Sequence, residues 1–214
     1  MLWGSRRTFA ALAFAAGLFA MFGSIGPRPA MADDKDLAQA LRAGGLVIVL
    51  RHGATFADQV DAKPIDFDNV AAQRNLNDNG KAAAVALGDA FRQIGVPVGK
   101  VYTSRFNRAY ETATLAGLRQ AEKIADLTDS GPGMMPGSTT AQAEAVRKML
   151  GTAPAPGTNT VLVTHKTNIV DALGKDWFDV KEGETSIFRP ENGSYKLFAR
   201  VQMDEWPRIA VAAK

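Results

Sequence analysis

The stretch that most constrains this chain is a run of five apolar residues, 46–50, that leads directly into Arg51, His52 and Gly53. Three of the five are β-branched, and a short continuous apolar run is typical of a strand buried on both faces of a parallel sheet. In open α/β sheets, ligands bind beyond the carboxyl ends of the strands. The run therefore predicts that Arg51 and His52 lie at a binding site, although polar residues also follow strands in ordinary loops.

The chain has two histidines, and the second occupies the same kind of position as the first. His165 directly follows another apolar run, 160–164. A third run, 98–103, leads into a predicted helix with Ser104 as its N-cap and with Arg105 and Arg108 in its first turns. Basic residues there oppose the helix dipole unless an anion binds at the helix terminus. The alternative is that the arginines pair with surface acids, and we favour that alternative for Arg105 but not for Arg108.

Predicted strands alternate with predicted helices along the chain, and a hairpin follows, divided by an Asn-Gly turn at 192–193. This order predicts one α/β domain with a largely parallel sheet. A cap from Asp78 or Asn79 is expected for the second helix. The predicted elements are helix 33–43, strand 46–50, helix 80–94, strand 98–103, a helix after Ser104, strand 122–128, helix 139–150, strand 160–164, helix 168–173, and strands 186–190 and 195–203.

The first 32 residues are typical of a secretory signal peptide. Arg6 and Arg7 precede an apolar run, and Ala30-Met31-Ala32 matches a small-residue cleavage site. We expect cleavage after Ala32, a mature domain over 33–214, and a periplasmic or secreted protein with no stable membrane anchor. An uncleaved N-terminal anchor is the alternative. The adjacent arginines also allow export by the twin-arginine route.

Composition excludes several classes of function. Of the 25 basic residues, three lie within the first 32, which leaves 22 basic and 22 acidic residues in the expected mature part. This balance gives no indication of a nucleic-acid partner. The chain has no cysteine, which excludes disulfides and thiolate chemistry. Four aspartates in the polar loop 55–75 raise the idea of a metal site, but their spacing matches no calcium loop, and we predict none.

The two histidines, Arg51 and Arg108 together form a pattern that suits a phosphoryl group. Arginine forks match phosphate oxygens, and phosphoryl transfer is catalysed mainly by positioning and charge neutralisation. A neutral imidazole is an available nucleophile near neutral pH. Two alternatives remain: a pocket that binds anions without turnover, and two histidines buried for structural reasons.

Four segments in this order resemble the histidine phosphatase superfamily, which has the phosphoglycerate-mutase-like fold. The resemblance covers essentially all of 33–214 and is greatest to small exported bacterial members. It implies a three-layer α/β/α architecture around the largely parallel sheet. The matching segments are Arg51-His52-Gly53, Leu76-Asn77-Asp78-Asn79-Gly80, Ser104 to Ala113 with Arg108, Ala109 and Thr112, and Val161-Leu162-Val163-Thr164-His165.

The resemblance also implies a role for each site residue. His52 would be the nucleophile that becomes phosphohistidine, Arg51 and Arg108 would bind the phosphoryl oxygens, and His165 would stabilise the transition state. No metal and no cofactor are implied. One branch of the superfamily has an aspartate after the second histidine as proton donor, and this chain has Lys166 there. Glu184 is our candidate for the general acid, with a solvated loop carboxylate as the alternative.

The sequence therefore predicts a phosphomonoester hydrolase that acts on a small-molecule phosphate ester. The alternative function is a non-catalytic phosphate-binding accessory protein that kept the pocket. A mutase is less favoured, because export would remove the chain from cytoplasmic glycolytic intermediates. The identity of the substrate and the oligomeric state are not predicted.

Overall fold

A six-stranded sheet forms the centre of the structure, a computed structural model that describes residues 1, 33–129 and 134–213. The strands are β1 (Val47–Arg51), β2 (Val98–Ser104), β3 (Glu122–Ile124), β4 (Asn159–Thr164), β5 (Thr185–Glu191) and β6 (Ser194–Val201). The helices are α1 (Asp34–Ala43), α2 (Asp78–Ile94), α3 (Asn107–Leu115), α4 (Ala141–Leu150), α5 (Lys166–Leu173) and α6 (Trp206–Ala212). Nearly all of the predicted signal peptide lies outside the described residues, so cleavage and export remain predictions.

The strand order is β3-β2-β4-β1-β5-β6. The first four strands are parallel, whereas β5 pairs antiparallel with β1, and β6 antiparallel with β5. The two antiparallel strands form the predicted hairpin, and Asn192 and Gly193 at its turn both have positive φ. The largely parallel sheet is therefore confirmed.

Two apolar cores lie on opposite faces of the sheet, which gives the predicted three layers. Leu41, Leu87 and Ile209 represent the core that α1, α2, α3 and α6 form with one face. Val146 and Ile169 represent the core that α4 and α5 form with the other. Alternate residues of β1 enter the two cores, because successive side chains of a strand point to opposite faces. This burial on both faces explains the continuous apolar run in the sequence.

The predicted elements occur in the predicted order, and three differences concern α2, β3 and α6. Helix α2 is capped by Asn77, whose side chain accepts a hydrogen bond from the Gly80 amide at 2.8 Å, and not by Asp78 or Asn79. Strand β3 is only three residues long. Helix α6 was not predicted, because its sequence WPRIAVA is short, has a weak helical pattern and contains a proline in its first turn. Trp206 of this helix is fully buried. In the described part of the chain, no helix is both long and apolar enough to span a membrane.

Candidate active site

The carboxyl ends of three neighbouring parallel strands bring the predicted site residues together. Strands β1 and β4 are in register with Arg51 opposite Thr164, so the residues that follow them, His52 and His165, emerge side by side. Their ring centroids are 5.2 Å apart. Strand β2 lies on the other side of β4, and α3, which carries Arg108, begins just after it. The structure thus places all four predicted pocket residues at one edge of the sheet.

His52 is held as a neutral imidazole ring in a defined tautomer. Its ring is buried, and its Nδ1 lies 2.8 Å from the Gly53 carbonyl oxygen. A carbonyl oxygen can only accept a hydrogen bond, so Nδ1 carries the proton and Nε2 keeps its lone pair. Burial lowers the pKa of His52 well below its usual range, and the nearby Arg108 guanidinium lowers it further. Near neutral pH the ring is therefore neutral, as a nucleophile requires.

His165 is held by Ser104, which the sequence had suggested as a helix cap. The Ser104 hydroxyl accepts a hydrogen bond from the Phe106 amide at 3.2 Å and lies 2.7 Å from His165 Nε2. Because this hydroxyl is fully buried, its hydrogen needs an acceptor, and His165 Nε2 is the partner in reach. The His165 proton then sits on Nδ1. Helix α3 in fact starts two residues later than predicted, with Phe106 at its N-cap and no capping side chain.

Arg51 and Arg108 bring two guanidinium groups to the pocket. Arg51 donates through Nη1 to the Val180 carbonyl at 2.7 Å, and its Nη2 lies 3.6 Å from the Glu182 carboxylate. Arg108 is almost fully buried, and its guanidinium lies over the Phe106 ring. Among the described residues, the Nε atoms of both arginines are buried and have no hydrogen-bond partner in the protein. Such donors suit an anionic ligand, because buried polar groups are normally hydrogen-bonded.

The turn after β1 depends on close packing against α2 and α3. A Cβ atom at Gly80 would lie 2.1 Å from the Ala54 carbonyl oxygen, so only glycine fits at this position of α2. The Thr112 hydroxyl accepts a hydrogen bond from the Gly53 amide at 3.0 Å and donates to the Arg108 carbonyl at 2.6 Å. Thr112 therefore ties the turn that carries His52 to the helix that carries Arg108. These contacts explain why Gly80 and Thr112 occur in the sequence together with the site residues His52 and Arg108.

Comparison with protein-family models assigns the family. Residues 47–154 match the model described as the histidine phosphatase superfamily (branch 1). The chain belongs to this superfamily. The match includes Arg51, His52 and Arg108, whereas His165 lies beyond it and is placed by the structure. The predicted family, the predicted phosphoglycerate-mutase-like fold and the predicted enzyme class, a phosphatase, are confirmed.

Solved structures of the same fold are similar over most of this phosphatase. The protein histidine phosphatase SixA, complexed with tungstate, is 16% identical with a TM-score of 0.56, and the alignment covers 75% of this chain and 98% of SixA. YhfR of Bacillus stearothermophilus is 17% identical with a TM-score of 0.52, over 74% of this chain and 98% of YhfR. At such identities the likeness supports the fold. A comparison with curated proteins gave no match.

Glu184, the candidate general acid, is enclosed by partners within the protein. Its side chain is fully buried, and one oxygen accepts from Arg200 Nε at 2.6 Å. The other oxygen accepts from Gln202 Nε2 at 2.7 Å and from the Lys181 amide at 3.1 Å. Both oxygens of the phosphatase's Glu184 thus have partners within the protein. In this geometry Glu184 joins the β4–β5 connection to β6, and its role as the general acid stays a prediction that the enclosed position does not favour.

We expect Glu184→Gln to reduce stability and to leave the preference between substrates unchanged. The substitution removes a buried charge that Arg200 neutralises, which costs roughly 2 kcal/mol or more of unfolding free energy. Denaturant unfolding measures this loss, and the ratio of aryl to alkyl phosphate hydrolysis measures any acid role. A variant that is fully stable but selectively slow on alkyl phosphates would restore Glu184 as the proton donor.

The structure adds charged residues that sequence reasoning had not assigned to the site. The Asp61 carboxylate binds Arg108, and the charges of Arg74 and Asp129 act on the pocket arginines or histidines. Arg105, in contrast, is exposed and lies over the Phe67 ring, as expected for a residue outside the pocket. Within the described part of the chain, no group of three His, Cys, Asp or Glu residues is arranged to hold a metal ion.

Proposed function

We propose that this phosphatase hydrolyses phosphate monoesters through a phosphohistidine intermediate on His52. One observation carries the proposal: the hydrogen bond from His52 Nδ1 to the Gly53 carbonyl leaves Nε2 as the nucleophilic atom. The low pKa of His52, caused first by burial, keeps the ring neutral without a separate general base. The hydrogen bond also fixes the orientation of the ring, which reduces the entropy lost on reaching the transition state.

The proposed reaction has two displacement steps at phosphorus. In the first, the Nε2 lone pair forms a bond to phosphorus while the bond from phosphorus to the ester oxygen breaks, and the released alcohol takes up a proton. In the second, the oxygen of a water molecule attacks phosphorus, the bond to Nε2 breaks, and a proton leaves the water. The products are an alcohol and inorganic phosphate, and His52 returns to its neutral form. No oxidant, reductant or metal is required for this balance.

The other pocket residues have electrostatic roles in the proposal. Arg51 and Arg108 bind the non-bridging phosphoryl oxygens through charge-assisted hydrogen bonds. His165, with its proton on Nδ1, donates to the same group as negative charge is redistributed in the transition state. The guanidinium groups of Arg51 and Arg108 keep a fixed charge, which suits a site that binds phosphate esters over a wide pH range.

The proton for the leaving group comes from a carboxylate at the rim of the pocket, since Glu184 is enclosed. Asp61 and Asp129 are carboxylates whose charges raise the pKa of Arg108. Aryl leaving groups need little protonation and alkyl leaving groups need more. Comparing the two ester classes in Asp61→Asn and Asp129→Asn therefore assigns the donor.

The direct test of the proposed function is turnover of a chromogenic aryl phosphate by the purified protein. We expect steady release of phenolate and inorganic phosphate without added metal, and inhibition by orthovanadate, which mimics the phosphoryl transition state. Binding of inorganic phosphate by calorimetry, with no turnover of aryl or alkyl esters, would instead support the non-catalytic phosphate-binding alternative.

We further propose that the substrate is a small phosphate ester met outside the cytoplasm. The support is the sequence pattern of residues 1–32, with its two arginines, apolar run and small-residue cleavage site. A screen of sugar phosphates, nucleotides and phosphorylated envelope lipids, ranked by kcat/KM, would identify the class of leaving group.

A further inference from the structure

A carboxylate of the protein itself contacts the guanidinium group that should bind the substrate. The Asp61 oxygens Oδ1 and Oδ2 lie 3.0 Å and 3.2 Å from Arg108 Nη1. The Arg108 side chain is 3% exposed and the Asp61 side chain 26% exposed, so the contact lies at the mouth of the pocket. Burial lowers the pKa of Arg108, and Asp61 opposes this effect. The carboxylate thus occupies one nitrogen, Nη1, of the guanidinium that is proposed to bind the substrate.

Asp61 belongs to the connection between β1 and α2, residues 56–75, which we call the cover segment. Its ends are joined by the Thr55–Leu76 bridge and by the hydrogen bond from the Phe56 amide to the Asn75 carbonyl. Within the segment, Asp61 Oδ1 accepts from the Arg74 amide at 2.9 Å. The segment is therefore closed at its base, and Asp61 lies between that base and Arg108.

A small set of side-chain contacts holds the cover segment against the start of α3, among them a hydrogen bond from Asn107 Nδ2 to Asn75 Oδ1 at 3.2 Å and the Arg105 guanidinium over the Phe67 ring. Gln73 is its one buried residue, and its side-chain oxygen accepts from the Asn107 amide at 2.8 Å. The Phe67 ring meets the Phe106 ring edge-on at 5.1 Å. All residues from 56 to 72 are exposed or only partly buried. Segments with so little buried surface open at low cost in free energy. The Asp61–Arg108 pair is the contact that joins this segment to a pocket residue.

The phosphoryl group and Asp61 compete for the same guanidinium. Arg108 Nη1 already serves both Asp61 oxygens and lies 3.5 Å from the Arg74 carbonyl. A doubly charged phosphoryl group next to the Asp61 carboxylate would add repulsion between like charges. The Nε of Arg108 has no partner among the described residues and can meet a phosphoryl oxygen directly, whereas Nη1 becomes available only when Asp61 leaves it.

We propose that Asp61 is a built-in competitor of the substrate: its carboxylate occupies Arg108 in the ligand-free enzyme and is displaced, together with the cover segment, when a phosphoryl group binds. This inference rests on the proposed function, because it takes Arg108 as the phosphoryl ligand. Its consequence is a reduced affinity for free phosphate, the product, which favours product release. The competing interpretation is that Asp61 merely orients Arg108 for binding, in which case its removal weakens binding.

Calorimetry with inorganic phosphate separates these interpretations. We expect Asp61→Asn, which keeps the shape and removes the charge, to bind phosphate about tenfold more tightly than the wild type, because the binding-competent form no longer has to be released from the ion pair. Asp61→Glu keeps the charge and should retain weak binding. Asp58→Asn is the matched control, since Asp58 is an exposed carboxylate of the same cover segment. It should bind phosphate like the wild type.

Two outcomes would overturn the proposal: unchanged or weaker phosphate binding by Asp61→Asn, or equal tightening in Asp61→Asn and Asp58→Asn. Failure of the wild type to bind phosphate at all would instead count against the proposed function.

A second measurement keeps Asp61 in place and does not depend on the folding of that variant. The chain has no cysteine, so Val60→Cys, at an exposed position beside Asp61, accepts a single nitroxide label. Saturating phosphate should increase the mobility of this label, whereas a label on Val211→Cys in α6 should not respond. An unchanged Val60→Cys spectrum with phosphate bound would contradict displacement of the cover segment.

Discussion

Replacing His52 with asparagine is expected to remove phosphatase turnover almost completely, by about 10³-fold or more in kcat. The asparagine amide can still donate to the Gly53 carbonyl, so the turn after β1 keeps its hydrogen bond. The substitution removes the Nε2 lone pair, which is the atom that attacks phosphorus in the proposed reaction. Steady-state hydrolysis of an aryl phosphate measures the effect.

The His52→Asn variant needs evidence that its pocket is intact. Its thermal midpoint and its affinity for inorganic phosphate should stay close to those of the wild type, because Arg51, Arg108 and His165 are unchanged. Turnover by a folded His52→Asn protein within tenfold of the wild type would remove the nucleophile role from His52. Loss of both turnover and phosphate binding in His52→Asn would mean that the His52 ring maintains the structure of the pocket.

The second large effect is expected from Arg108→Ala, which should lower kcat/KM by about 10²- to 10³-fold. The side chain supplies fixed positive charge inside a buried pocket, where charge-assisted hydrogen bonds to a phosphoryl group are strong. Arg108→Lys should recover only part of this loss, because an ammonium group cannot bind two oxygens as a planar fork.

The matched control for Arg108 is Arg105, three residues earlier along the chain. Arg105→Ala removes the same charge from an exposed side chain that lies over Phe67, outside the pocket. It should change kcat/KM by less than about threefold, as expected for a screened surface charge. Equal losses for Arg105→Ala and Arg108→Ala would mean that the general positive field, and not the contact of Arg108, acts on the substrate.

The position of the two histidines could be predicted because strand geometry determines it. A buried parallel strand is recognisable from its apolar run, and the carboxyl ends of such strands lie at one edge of the sheet. The register of Arg51 with Thr164 then puts His52 and His165 side by side. Arg108 follows from the same geometry, since α3 begins beside the end of β2.

The surroundings of these residues depend on contacts that sequence spacing does not reveal. Glu184 is enclosed because β6 turns back and brings Arg200 and Gln202 to its carboxylate. Asp61 reaches Arg108 across 47 positions of sequence through an irregular connection. The Ser104 hydroxyl contacts His165 as well as the amide of Phe106, the N-cap residue, because the helix begins two residues later than its pattern suggests. Side chains in irregular segments are placed by tertiary packing, which has no short-range pattern.

Rapid mixing with an aryl phosphate, a quench without acid, and intact-mass and peptide analysis test directly whether a phosphoryl group forms a covalent bond to His52. The acid-free quench is needed because acid hydrolyses the phosphorus–nitrogen bond that is expected on the His52 ring. We expect the wild type to gain the mass of one phosphoryl group, located on the peptide that contains His52, and His52→Asn to gain none. Turnover without any adduct, or an adduct on a peptide that lacks His52, would contradict the phosphohistidine intermediate on His52.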